Sequence, residues 1–324
     1  MWLLLALLAA APLGAQTNIP PGKGASRVPP ATIAVTDEAG RSVQVPSEVR
    51  RIVSLAPNMT ELVYALGLQA KLAGVTDYCD YPPEARTKPR VGGTMNPSIE
   101  QVVSFHPDLV LASKQSNRKE TVENLERLGF AVYTADAHTV ADVLASLRRL
   151  GGLLGAREQG EALANDLQRR LSDLERRLAG HPPQRVVFVV WPSPLISIGR
   201  HTFLADALRW AGAESVVDTP QDWPRLSIEE LIRQEPEFLV FASSHADESA
   251  RTFEDLREQP GWRDLKAMRE GHIAVVSEAV NRPSPRLVEA IEQLAQQLHP
   301  DAFTSESRKD KTRRQSNSPT SWKN

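Results

Sequence analysis

The chain has 324 residues, of which 41% are hydrophobic and 24% charged, and this length is enough for two domains that each bury a core. The formal net charge is -2, and no broad block of Lys and Arg precedes the last residues, which argues against nucleic acid as the main partner. Cys79 is the single cysteine, so an internal disulfide is excluded.

The N-terminal segment reads MWLLLALLAAAPLGA over residues 1–15. This apolar run is too short for a good membrane span but suits the core of a signal peptide, so we expect export to the periplasm or another extracytoplasmic space. The alternative is an uncleaved N-terminal anchor, because no Lys or Arg precedes the apolar run. Residues 16–30 are rich in Pro and Gly and are expected to form a disordered linker.

A first α/β lobe is predicted over residues 31–155. It opens with a hairpin whose turn runs from Asp37 to Gly40. Short apolar strands then alternate with amphipathic helices, which is typical of βα units on a parallel sheet. The predicted strands are Ile52–Leu55, Leu72–Thr76, Leu109–Ala112 and Ala131–Thr134, and the predicted helices are Thr60–Leu66, Ser98–Ser104, Arg118–Leu128 and Val140–Leu150.

One continuous helix is predicted between two lobes, within residues 156–180. Over 157–178, leucines recur every three or four residues and form an apolar stripe about 30 Å long. Gly180, Pro182 and Pro183 are expected to end the helix. The alternatives for this segment are a surface helix or a short coiled coil.

A second α/β lobe is predicted over residues 181–300, and a polar, disordered tail over 301–324. The predicted strands are Val186–Val190, Leu239–Ala242 and Ile273–Val276, and the predicted helices are Phe203–Trp210, Ser227–Arg233, Thr252–Glu258 and Pro285–Leu298. The predicted fold class is therefore α/β, with two doubly wound, Rossmann-like lobes joined by a single long interlobe helix.

Catalytic motifs are missing from the sequence. It has no Gly-rich phosphate loop after a strand, no GxSxG elbow and no HExxH or CxxC pair, and its seven histidines are scattered. We therefore expect a binding protein rather than an enzyme, with no catalytic residue, no metal site and no resident cofactor.

Three segments and the long helix resemble a known family. The segments RIVSLAPNMTELVYALG, VTDYCDYPPEA and SIEQVVSFHPDLVLA resemble the helical-backbone class (class III) of ABC-importer substrate-binding proteins, over residues Thr32 to Leu298. The motifs DYCDYPP, DWPRLSIEEL and NRPSPRLVEAIEQL are most similar to the cobalamin-binding branch of this class. The resemblance implies a monomer that captures cobalamin or a related corrinoid between its lobes and delivers it to a permease and ATPase complex.

The resemblance also implies which residues contact the ligand. Tyr78 and Trp223 match positions that contact the corrin ring, and each has packing within its loop as the alternative role. Arg282 matches an Arg of the cobalamin branch, whereas Glu278 stands where an Asp is usual. Both follow a predicted strand, at the sheet edge where open α/β sheets bind ligands.

Two further ligand residues are predicted. The Pro-Asn turn after the first parallel strand suggests that Asn58 or Thr60 caps the next helix, with Asn58 beside the ligand. Thr94 and Ser113 stand where cobalamin binders carry Trp, and Trp191 in the second lobe is expected to replace part of that aromatic surface.

The triplet Ser-Ile-Glu begins one helix in each lobe. Its carboxylates, Glu100 and Glu229, match residues with which the family docks onto Arg on the transporter subunits. The alternative for each is a charge that only favours the helix dipole. A haem or iron-siderophore ligand is the alternative to a corrinoid, and a sensor or scaffold without transport is the alternative to an importer component.

Overall fold

A computed structural model describes residues 31–243 and 253–304. The predicted signal peptide (1–15) and linker (16–30) lie outside the described residues, as does the tail from residue 305 onward. Residues 301–304 are helical, so the prediction of a disordered tail is wrong for its first four residues. The physical reason is Phe303, whose ring packs against the core and lies 5.7 Å from the Arg177 guanidinium.

The first lobe combines a hairpin with a parallel sheet. Its strands are β1 (Thr32–Thr36), β2 (Ser42–Pro46), β3 (Ile52–Ser54), β4 (Leu72–Val75), β5 (Leu109–Ser113) and β6 (Val132–Ala135), and its helices are α1 (Pro57–Ala65), α2 (Ile99–Ser104), α3 (Lys119–Arg127) and α4 (Val140–Leu154). β1 and β2 pair antiparallel around the predicted turn, and the other strands form a parallel sheet in the order β4-β3-β5-β6. β3 and β5 are wholly buried, as expected for strands covered on both faces.

The long helix α5 spans Arg157–Leu178 and follows the first lobe directly. It packs against α4 and against α10 (Leu287–Leu298) of the second lobe. Its buried stripe contains Gly160, Ala164, Leu167, Leu171 and Leu174. The helix is therefore an integral part of the core that joins the lobes, as predicted.

The second lobe repeats the design of the first. Its strands are β7 (Gln184–Val189), β8 (Trp191–Pro192), β9 (Leu195–Ile196), β10 (Ala213–Ser215), β11 (Phe238–Ser243) and β12 (Ile273–Ser277), and its other helices are α6 (Phe203–Trp210), α7 (Ile228–Gln234), α8 (253–258) and α9 (Lys266–Glu270). The parallel sheet has the order β10-β7-β11-β12. β8, β9 and β10 were not predicted, because two or three residues are too few for a periodic pattern. Within the described ranges, no helix has the length and apolar character needed to cross a membrane.

Both sheets contain a topological switch point. In each lobe the first parallel strand lies inside the sheet, with the second strand on one side of it and the third on the other. The connections therefore leave in opposite directions at β3 and β5, and again at β7 and β11. Open α/β sheets bind ligands in the crevice outside the carboxyl ends of such strands. The predicted α/β fold with two doubly wound lobes is confirmed, and it presents one such crevice in each lobe.

Candidate functional site

Four large aromatic side chains near these sheet edges are exposed, and one of them, Tyr81, packs against Arg286. Tyr78 lies three residues beyond β4 and is 61% exposed, and Trp191 begins the short strand after β7 and is 58% exposed. Trp223 lies in the loop before α7 and is 47% exposed. Aromatic side chains bury large areas when they are covered, so three left open at sheet edges indicate a binding surface.

Trp223 lines a cavity of about 280 Å³ between the two lobes. The wall from the first lobe includes Lys114, Asp136 and His138, which follow β5 and β6. Asp136 binds the other two, since its carboxylate lies 2.5 Å from Lys114 Nζ and 3.0 Å from His138 Nε2. Of the predicted ligand residues within the described ranges, Trp223 alone lines this cavity, together with these charged side chains.

Arg282 lies at the centre of an ion cluster that crosses between the lobes. Its Nη1 donates to Asp80 Oδ1 at 2.7 Å and to Glu61 Oε1 at 2.9 Å, and both acceptors belong to the first lobe. Its Nη2 lies 3.4 Å from Glu278 Oε1. Burial alone would raise the pKa of Asp80, but the hydrogen bond and the charge of Arg282 lower it below its ordinary value. The structure therefore brings the predicted residues Glu278 and Arg282 together.

Glu61 is a residue of this cluster that was not identified from the sequence. Its carboxylate is 2% exposed and accepts hydrogen bonds from Arg282, Ser284 and Arg286. A signal was present, because Glu61 is the one charged residue in the segment PNMTELVYA that forms α1. A lone carboxylate on an otherwise uncharged helix needs a charged or hydrogen-bonding partner when it is buried.

Tyr81 and Arg286 add a second contact beside Glu61. The Arg286 guanidinium carbon lies 3.5 Å from the centroid of the Tyr81 ring, a cation–π geometry. Arg286 is also the N-cap residue of α10. The Tyr81 ring therefore packs against Arg286, and Arg286 holds the Glu61 carboxylate beside it.

The predicted side-chain cap at the start of α1 is wrong. Ala56 is the N-cap residue and Pro57 is the first helical residue, so Asn58 and Thr60 lie inside the helix. Proline fixes the backbone for the first helical position, which moves the helix start ahead of both residues. Asn58 is 4% exposed and offers little surface to a ligand. Its predicted ligand contact stays a prediction.

The Cys79 thiol is enclosed by polar side chains of the first lobe. It is 0% exposed, and its Sγ lies 3.1 Å from Thr60 Oγ1 and 3.1 Å from Thr76 Oγ1. Burial raises the pKa of Cys79 more than these hydrogen bonds lower it. Cys79 therefore acts as a small residue that fills space in the core of the first lobe.

We expect Cys79 to react slowly with a thiol-specific reagent at pH 8. The thiolate is the reactive form, and both burial and the raised pKa suppress it in the folded protein. The reaction should be at least about 100-fold slower than in the urea-unfolded chain, which corresponds to an opening cost of about 3 kcal/mol. The rate is measured with a chromogenic disulfide reagent, and equal rates in both states would contradict the enclosed position.

Thr94 and Ser113, which stand where cobalamin binders carry Trp, are both hydrogen-bonded through their backbone to Asn117. Ser113 is 1% exposed, and its backbone N–H donates to Asn117 Oδ1 at 2.8 Å. The Asn117 amide donates to the carbonyls of Leu55 and Thr94 at 2.8 and 2.9 Å, which ties two loops at the sheet edge. Next to Thr94, Met95 is 49% exposed. Met95 was not identified from the sequence, and its flexible thioether is suited to an apolar contact with a ligand.

Glu100 and Glu229 occupy equivalent positions in the two lobes. Both are exposed and lie in the first turn of α2 and α7, respectively. The Ser two residues before each Glu caps its helix, because Ser98 Oγ accepts a backbone N–H at 3.3 Å and Ser227 Oγ accepts one at 3.1 Å. The repeated triplet thus has one local structure in both lobes, and docking stays a prediction for both carboxylates.

Comparisons with known proteins agree with this architecture. The family model for periplasmic binding proteins matches residues 52–279. An uncharacterized ABC transporter substrate-binding lipoprotein of Bacillus subtilis is 29% identical over 309 residues, which cover 93% of this chain and 96% of the relative.

Two solved structures have a similar fold. The periplasmic vitamin B12 binding protein of Vibrio cholerae is 28% identical with a TM-score of 0.70, and the match covers 80% of this chain and 100% of that chain. A periplasmic heme binding protein from Pseudomonas aeruginosa is 26% identical with a TM-score of 0.71, and the match covers 78% of this chain and 93% of that chain.

The matched region runs from β3 to the residues after β12, so it includes both sheets and the long helix. The relatives are substrate-binding proteins rather than enzymes, which confirms the expected binding function and implies an extracytoplasmic location with a transporter as partner. The chain belongs to the periplasmic binding protein family and is a substrate-binding protein of the ABC-transporter type.

Proposed function

We propose that the chain captures cobalamin or a related corrinoid between its two lobes and delivers it to the permease of an ABC importer. The observation that carries the proposal is the set of exposed aromatic side chains Tyr78, Trp191 and Trp223 at the sheet edges. A corrin is a broad, flat ring system with amide side chains, so it needs aromatic surface in the pocket and polar groups at its rim. The similarity to a vitamin B12 binding protein supports the same ligand class.

The predicted residues other than Asn58 receive roles in this proposal. Tyr78, Trp191 and Trp223 stack against the ligand, and Met95 adds an apolar contact near Thr94. Glu278 and Arg282 provide the acceptor and donor groups for amides at the rim of the ligand. An N-terminal signal peptide exports the chain, and Glu100 and Glu229 dock it on the transporter.

Haem is the second candidate ligand, and Tyr78 favours it. A phenol oxygen can bind haem iron, and Tyr78 is 61% exposed, more than any other large hydrophobic residue in the described part of the chain. A heme binding protein is also among the similar structures. A ferric siderophore is less favoured, because an anionic ligand needs an excess of positive charge in the pocket, whereas the charges of Arg282 and Arg286 are offset by nearby carboxylates.

Replacing Trp223 by Ala is expected to weaken cobalamin binding. Loss of a stacked indole should cost at least about 1 kcal/mol, which raises Kd about fivefold or more. The measurement is a titration of purified protein with cobalamin, followed by tryptophan fluorescence or calorimetry. Leu128→Ala is the matched control, since Leu128 is 58% exposed at the end of α3 and belongs to no predicted contact. An unchanged Kd for Trp223→Ala would assign the indole to loop packing.

A further inference from the structure

The ion cluster around Glu61 joins the lobes through one buried carboxylate. Glu61 Oε1 accepts from Arg282 Nη1 at 2.9 Å and from Arg286 Nη2 at 2.8 Å. Its Oε2 accepts from Ser284 Oγ at 2.7 Å and from Arg286 Nε at 3.0 Å. All four donors belong to the segment between β12 and α10 of the second lobe, more than 200 residues away in sequence. The carboxylate of a first-lobe helix is thus saturated by second-lobe donors.

The geometry around this carboxylate is restrictive. Arg286 binds it through two parallel N–H groups while its guanidinium lies against the Tyr81 ring, so the side chain has one orientation. Arg282 bridges Glu61 and Asp80 with one nitrogen. A carboxylate removed from water in this way is costly unless all its partners stay in place, so any separation of the lobes here leaves a buried charge unpaired.

A second connection between the lobes lies away from this cluster. The backbone N–H of Val140, at the start of α4, donates to Asp206 Oδ2 of α6 at 2.7 Å. Together with α5, this contact leaves the lobes little freedom to move as rigid bodies. The Glu61 cluster differs from the Val140 contact because it contains Arg282, a predicted ligand residue.

We infer that Glu61 is a positioning residue that fixes Arg282 for the ligand and clamps the lobes at one separation. Glu61 also binds Ser284 and Arg286, while Asp80 binds Arg282 and Tyr81 packs against Arg286. We call these six residues the interlobe clamp: Glu61, Asp80, Tyr81, Arg282, Ser284 and Arg286. The part of the inference that concerns Arg282 rests on the proposed function, whereas the clamp itself does not. Without Glu61, Arg282 keeps only carboxylates that are more than one-third exposed, so its position becomes variable.

The first experiment needs no ligand and uses amide hydrogen exchange on Glu61→Gln, which keeps the shape of the side chain but removes its charge. We expect exchange to rise at least about 10-fold in two segments on opposite sides of the interface, 76–82 and 278–286. Glu292→Gln is the matched control. Glu292 also accepts two hydrogen bonds from an arginine, Arg170, at 2.9 and 2.6 Å, but this pair joins α5 to α10 and, within the residues that the structure describes, forms no hydrogen bond with the interlobe clamp. This control should leave both segments unchanged.

Ser284→Ala is a milder variant that removes one of the four hydrogen bonds and keeps the inference testable if Glu61→Gln does not fold. It should raise exchange in the same two segments by a smaller factor. Unchanged exchange in the folded variants would overturn the clamp. An even rise along the whole chain would overturn it as well, because it would reveal a general loss of stability.

The second experiment measures the Kd for cobalamin of wild type and of Glu61→Gln. A rise of at least about 10-fold, with no such rise for Glu292→Gln, is expected if Glu61 positions Arg282. Equal Kd values for wild type and Glu61→Gln would overturn the positioning role. If wild type itself retains no cobalamin, the proposed ligand fails, and the exchange experiment still decides whether the clamp exists.

Discussion

A variant with Glu100→Lys and Glu229→Lys is expected to lose uptake completely while its ligand affinity stays at the wild-type value. Both carboxylates are exposed, each in the first turn of a helix and one in each lobe, so a transporter can contact them without entering the ligand site. Complementary charges steer association, and reversing one partner replaces attraction by repulsion at both contacts. The measurements are corrinoid-dependent growth of a host that depends on this chain for uptake, and Kd of the purified variant.

The matched control for this variant is Glu120→Lys with Glu289→Lys. Glu120 and Glu289 are also exposed carboxylates in the first turn of a helix, one in each lobe. The control variant has the same change in net charge and the same loss of helix-dipole stabilisation, a few tenths of a kcal/mol per site. Equal uptake by both double variants would exclude a docking role for Glu100 and Glu229.

Gly160→Val is expected to destabilise the protein by at least about 2 kcal/mol, because α4 and α5 cross where no side chain fits. A Cβ at Gly160 would lie 2.7 Å from the Leu147 carbonyl oxygen and 3.2 Å from the Gly151 Cα, so backbone atoms would have to move. Val gains only a few tenths of a kcal/mol of helix propensity over Gly, which is too little to offset such a clash. Urea unfolding, followed by circular dichroism, measures the change.

Gly152→Ala is the matched control for the helix crossing. A Cβ at Gly152 would meet the flexible end of the Arg157 side chain at 3.4 Å, and the helix propensity of Ala stabilises by up to about 1 kcal/mol. This control is therefore expected to be neutral or stabilising. If Gly160→Val and the wild type have the same urea midpoint of unfolding, the close approach of α4 and α5 at Gly160 would be contradicted.

Much of the fold could be predicted because its signals are local. Seven of the eight described strands in the two parallel sheets are short apolar runs, and most helices between them repeat every three or four residues, so the type and order of these elements were predicted correctly. The eighth strand, β10, carries no such pattern. The leucine stripe over residues 157–178 predicted the long helix α5. The observed strand ends differ from the predicted ones by one or two residues, which is the usual uncertainty of element boundaries. Pro57 sets the start of α1, whereas the sequence pattern predicts a cap at Asn58 or Thr60.

The site could be predicted only in part, because its contacts are long-range. Family resemblance pointed to Arg282 and Glu278, but no local pattern pairs Glu61 with residues more than 200 positions later in the chain. The exposure of Met95 and the burial of Ser113 depend on how the loops at the sheet edge fold around Asn117. Tertiary packing determines whether such side chains are exposed or buried. The sequence shows only which residue types are present.

The most direct test of the ligand is the absorption spectrum of the purified protein after incubation with cobalamin and desalting. Capture of a corrinoid between the lobes predicts a red protein with corrinoid bands and about one ligand per chain. Incubation with haem in parallel should leave no Soret band after desalting. A colourless protein after micromolar cobalamin, or a Soret band with no corrinoid bands, would contradict corrinoid capture.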